Sequence, residues 1–142
     1  MTAQIEIAPA ATDELLEAVT RLLPLLSKSA PQTLDELNAM VTAEGSDLFV
    51  ARVDGRIVGV LTLATYRTLT GVKAWIEDVI VDESARGHGV GDALNRAAID
   101  EVRRRGIDGV DLTSRPSREA ANRLYQRIGF EQRTTNVYRF RV

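Results

Sequence analysis

An α/β or α+β domain, with helices packed on a mixed sheet, is the architecture this sequence predicts, and three observations carry it. Strand-like and helix-like segments follow one another in the order β-α-α-β-β-β-α-β-α-β. An Asp54-Gly55 pair joins two long apolar runs in the manner of a hairpin. A glycine-dense stretch, Arg86-Gly87-His88-Gly89-Val90-Gly91, stands between an apolar strand pattern and a helical one. Alternation of this kind places helices on a sheet rather than on each other. The chain has 142 residues, the length of one domain covering 1–142, and 44% of them are hydrophobic, enough for a core.

Residues 4–8 alternate as a first strand. Thr12 caps a helix with Asp13 and Glu14 in its first turn, and Leu15, Leu16, Val19, Leu22 and Leu23 form its apolar face until Pro24 ends it. Residues 33–36, Thr-Leu-Asp-Glu, form a capping box, followed by Leu37, Met40 and Val41 at helical spacing. Residues 48–53 and 56–66 flank the Asp54-Gly55 turn, which suits type I′. Residues 67–73 read as a polar connection and 74–81 as the next strand. A helix over 90–105 buries Val90, Leu94, Ala97, Ala98 and Val102, with Arg103, Arg104 and Arg105 complementing its dipole and Gly106 stopping it. Residues 110–113 read as a short strand. Residues 117–128 form a helix closed by Gly129, and residues 137–140 form a last strand.

The glycine stretch carries the chemistry. A loop of this kind at a helix N-terminus directs several N–H groups and the positive end of the dipole at one place, which suits phosphate or pyrophosphate. No Lys-Ser/Thr follows the glycines, which excludes a P-loop, and their spacing does not fit Gly-x-Gly-x-x-Gly. Arg86, Gly89 and Gly91 do fit Arg/Gln-x-x-Gly-x-Gly/Ala, and Ala121, Leu124, Tyr125, Gly129 and Phe130 fall in register with a second motif. With these two motifs, in this order, the chain resembles the GCN5-related N-acetyltransferase (GNAT) family over about residues 47–140. Arg118 stands where the second motif usually has Asn.

The resemblance implies a mostly antiparallel central sheet of six to seven strands flanked by four helices. It implies acetyl-CoA as co-substrate, an amine as acceptor, and direct attack in a ternary complex. The pyrophosphate would lie on Arg86, Gly87, His88, Gly89, Val90, Gly91 and Asp92. Main-chain N–H groups near Ile80 and Val81 would meet the thioester carbonyl. Ser114, Arg118 and Ala121 would contact the pantetheine or 3′-phosphate. Tyr125 would be the general acid for the leaving thiolate, since a phenol's pKa suits that task. Glu77 would be the general base through water. Asp78 and Trp75 would line the acceptor pocket, Asp78 facing away from Glu77 unless a bulge intervenes.

Composition narrows the rest. The chain has no Cys, which leaves out disulfides and an acyl-cysteine intermediate, and its single His speaks against a structural metal. The N-terminal residues lack the pattern of a signal peptide, and no apolar run suits a membrane span, so a cytoplasmic protein is expected. Residues 1–85 carry 6 basic and 13 acidic side chains, and residues 86–142 carry 12 and 7. The basic half suits a polyanionic donor, and the acidic half favours a small cationic amine over a protein acceptor. No Arg/Lys stripe with interleaved aromatics suggests nucleic acid. A homodimer through the C-terminal strand or the helix faces is compatible with the pattern. The competing reading is a non-catalytic acyl-CoA-binding or sensor domain of the same fold.

Overall fold

The computed structural model describes residues 2–142, which divide into two units, 2–112 and Thr113–Val142. In the first, β1 (Gln4–Ile7), β2 (Ser46–Val53), β3 (Arg56–Thr68) and β4 (Gly71–Val81) form one antiparallel sheet in the order β1-β2-β3-β4. Its helices are α1 (Asp13–Leu22), α2 (Leu34–Thr42) and α3 (Val90–Arg104). The second unit contains α4 (Glu119–Ile128).

The helix signals act as read. The Thr12 hydroxyl accepts the Leu15 N–H at 3.1 Å. Thr33 and Glu36 exchange both bonds of a capping box. After α1, Pro24 sits in a short 3₁₀ turn, Leu23–Leu25. Asp54 and Gly55 take φ of 51° and 80°, the left-handed pair that a type I′ turn requires.

The sheet is covered on both faces. Leu48, Val50, Val60 and Ile80 pack with Leu15, Ala18 and Leu22 of α1 and Leu37 and Val41 of α2. Gly59, next to Val60, faces the other way. A Cβ there would lie 3.1 Å from Val90 Cγ1 and 3.2 Å from Leu94 Cδ1, so glycine lets α3 approach the opposite face closely.

Three expectations need correction. Residues 67–73 are not a connection. β3 runs on to Thr68 and β4 starts at Gly71, with Arg67 paired to Val72 and Thr68 to Gly71. This hairpin end is largely solvent-exposed, so polar residues on both faces hide the strand period. The strand over 110–113 shrinks to one parallel bridge, in which Asp111 exchanges two main-chain bonds with Ala74 and Ile76 beside Trp75. No strand forms over 137–140. Val137, Tyr138 and Phe140 stay exposed, because alternation alone supplies no partner edge. Four strands therefore stand in the described residues where six to seven were expected, and none of the four is paired in parallel with another.

Candidate active site

The site is built around the C-terminal end of β4. Thr62 pairs with Glu77 and Val60 with Ile80, so Asp78 and Val79 together face the single residue Leu61. This is a β-bulge, and Asp78 takes φ of 52° to make it. The extra residue puts Glu77 and Ile80, three apart, on the same face of the sheet. The Thr62 hydroxyl, buried, lies 3.4 Å from Asp78 Oδ2. Glu77 and Asp78 are both exposed. Neither forms an ion pair among the described residues; Arg52 of β2 is engaged by Glu6 and Glu14.

Past Val81, the chain is pinned before it enters the glycine loop. The Asp82 N–H donates to Val58 O at 2.7 Å. The Asp82 carboxylate caps the turn Glu83–Ala85, accepting from both the N–H and the hydroxyl of Ser84 at 2.9 Å. Arg21 of α1 donates to the same carboxylate and to Ile57 O. The Ser84 bonds, with the nearby Arg21 and Arg56 charges, hold the Asp82 carboxyl below the usual carboxylate range. Sequence reading passed over Arg21, whose partner lies 61 positions away.

Arg86, Gly87, His88 and Gly89 are exposed. Gly87 and Gly89 take φ of 82° and 77°, with open space where a Cβ would stand. Left-handed backbone, not crowding, is what requires glycine here. Gly89 occupies the N-cap of α3, and no side chain caps that end, so the first-turn N–H groups are left for an external acceptor. Arg86 forms no ion pair among the described residues, whereas Asp92 is held by Arg96 at 2.7 Å. The Val90 side chain belongs to the core and leaves only its main chain to the loop, and Gly91 O accepts from the buried Asn95 amide at 2.8 Å. Ile80 is buried, Val81 partly so, and Trp75 is half-buried on the Glu77 face.

In the second unit, Arg118 is the residue before α4, and Ser114 and Ala121 are partly buried. Asn122 donates to Arg115 O and Arg118 O at 2.9 Å, which fixes the start of the helix. The Tyr125 ring meets Phe130 edge-to-face at 5.7 Å, and the Gly129 and Phe130 N–H groups both donate to Tyr125 O. Burial pushes the Tyr125 phenol above its ordinary value, with Arg118 opposing. The phenol is therefore protonated through the neutral range and able to donate a proton.

The model of the acetyltransferase (GNAT) family matches residues 12–130, and the chain belongs to this family. Over 92 residues it is 35% identical to the mycothiol acetyltransferase of Thermobispora bispora, covering 63% of this chain and 31% of that one. The crystal structure of an acetyltransferase from Trypanosoma brucei superposes with a TM-score of 0.81 at 28% identity, covering 99% of this chain and all of that one. The structure of AAC(6′)-Iy with the bisubstrate analogue CoA-S-monomethyl-acetylneamine has a TM-score of 0.81 at 20% identity, over the full length of both chains; this shows a common fold. The chain spans between 31% and 61% of the length of the curated relatives it matches.

Proposed function

We propose that this chain is a single GNAT domain that transfers the acetyl group of acetyl-CoA to a primary amine in the cytoplasm. The observation that carries the reading is the uncapped N-terminus of α3 behind two left-handed glycines, directly after the bulged end of β4. That cradle suits a pyrophosphate. Main-chain N–H groups of residues 86–92 would hold it, Arg86 would add a charge-assisted bond, and Ser114, Arg118 and Ala121 would serve the rest of the donor.

Acetyl-CoA supplies an activated thioester carbonyl. Glu77, exposed and unpaired, takes a proton from the acceptor ammonium through water, and the freed amine attacks. Main-chain N–H groups at Ile80 and Val81 would stabilise the oxyanion, Tyr125 would protonate the departing thiolate, and the second proton, shed by the attacking nitrogen as the amide forms, would restore the phenol. The products are an N-acetylamide and coenzyme A. Trp75 and Asp78 line the acceptor side. The acidic balance of residues 1–85 favours a small amine that is cationic before reaction.

Calorimetry with acetyl-CoA tests this on the wild type and Gly89→Glu, with thermal melting as a check on folding. A side chain at φ of 77° is strained, and the added carboxylate opposes the pyrophosphate. Binding by the wild type and a loss of at least about tenfold in a folded variant is the expected result. No binding by the wild type would remove the acetyltransferase reading.

A further inference from the structure

On the face of the sheet covered by α1 and α2, three cross-strand pairs follow one another toward the hairpin end: Thr62 with Glu77, Ala64 with Trp75, and Tyr66 with Lys73. Paired residues point to the same side, so these six side chains share a stripe. Glu77 stands at one end beside the bulge, and Lys73 stands four residues away, about 13 Å at strand rise. Neither is tied up in an ion pair among the described residues. Between them Trp75 is half-buried and Tyr66 is 51% exposed, diagonal neighbours within aromatic reach. Opposite Trp75 stands the small Ala64.

The stripe is bipolar: a carboxylate, an aromatic floor, an ammonium. We infer that it is the acceptor subsite, and that it selects a primary amine with an apolar or aromatic body ending in an anionic group. The inference rests on the acetyltransferase reading and names its substrate class. The amine lies at Glu77, the body covers Trp75 and Tyr66, and the anion meets Lys73. A diamine long enough to span the stripe places its second ammonium against Lys73. Tyr66 and Lys73 are thus specificity-determining residues, and the general preference for cationic amines narrows to amines with one positive end.

Three probes of equal length separate the terms: 8-aminooctanoate, octylamine and 1,8-diaminooctane, each assayed for acetylation with wild type and Lys73→Glu. The wild type is expected to prefer 8-aminooctanoate over 1,8-diaminooctane in kcat/KM, with octylamine between. Lys73→Glu is expected to move that ratio by about tenfold toward the diamine, while acetyl-CoA affinity by calorimetry stays at the wild-type value. Tyr66→Ala is expected to lower kcat/KM for all three by about fivefold. A ratio that Lys73→Glu does not move overturns the subsite, as does binding of acetyl-CoA without acetylation of any probe. Failure to bind acetyl-CoA overturns the acetyltransferase reading itself.

Discussion

At the scale of single residues, the informative one is Asp78, whose φ of 52° makes the bulge that aligns Glu77 with Ile80. Left-handed backbone is open to Gly, tolerated by Asp and costly for a β-branched residue. Asp78→Gly is expected to stay within about 0.5 kcal/mol of the wild type in urea unfolding, and Asp78→Val to lose about 2 kcal/mol. Equal losses would mean that this residue is not left-handed. Tyr125 bears on chemistry instead. Because burial keeps its phenol protonated, Tyr125→Phe is expected to lower kcat about a hundredfold while the KM for acetyl-CoA changes less than about twofold. A parallel loss in both would make Tyr125 a binding residue, and no loss would remove it from the mechanism. Motif spacing singles out Tyr125 and the glycines in the sequence, and Glu77 and Asp78 stand out as acids inside an apolar run; their roles are the proposal made above. The bulge was not legible in the sequence. Apolar Val79, Ile80 and Val81 run together without alternation, so nothing in the pattern shows where the period slips. The Thr62 contact with Asp78 depends on that slip and was hidden with it.

Elements were legible where local chemistry decides them. Thr12, Thr33 with Glu36, and Asp54-Gly55 each act within a few residues, and each produced the expected cap or turn. The strands over 110–113 and 137–140 needed a partner edge that local pattern cannot supply, and the far end of the β3–β4 hairpin was missed because main-chain bonds, not an apolar face, make it a strand. The three arginines ending α3 are a case in between. Dipole complementation explains their position, yet their bonds are specific: Arg103 to Asp100, Arg104 and Arg105 to Glu101, and Arg105 also to Asp47 at the start of β2. The Arg104 bonds, with those of Arg105, depress the Glu101 carboxyl to about 2. A carboxylate whose pKa is lowered on folding adds stability above its unfolded pKa, near 4.3, and loses it as pH falls toward the folded value. Wild type is therefore expected to exceed Glu101→Gln by about 1 kcal/mol from pH 5 upward, a figure reduced for the exposure of Arg104. The gap is expected to close between about pH 4.5 and pH 2. Melting curves across that range check it, and a gap independent of pH would show that Glu101 acts by packing rather than charge.

At the scale of the whole chain, a net charge of −2 conceals a division that bears on the donor. All twelve basic residues of 86–142 are arginines. Arg96, Arg103, Arg104 and Arg105 are engaged by carboxylates of α3 and β2. The other eight, Arg86 and Arg118 among them, form no ion pair in the described residues, so their charge is available to an incoming anion. Exposed charges act over about 10 Å at 0.1 M salt and over about 3 Å at 1 M. If these arginines attract the phosphates of acetyl-CoA, its affinity falls with ionic strength, and the fall comes from association, not dissociation. Raising NaCl from about 0.05 M to about 0.5 M is expected to weaken acetyl-CoA binding by about three- to tenfold. The control is acetylpantetheine, which has the same thioester and no phosphate, and its KM is expected to move less than about twofold. Equal salt dependence for both donors would mean that the arginines of 86–142 do not guide the donor, and that the uncapped end of α3 binds it through main-chain N–H groups alone.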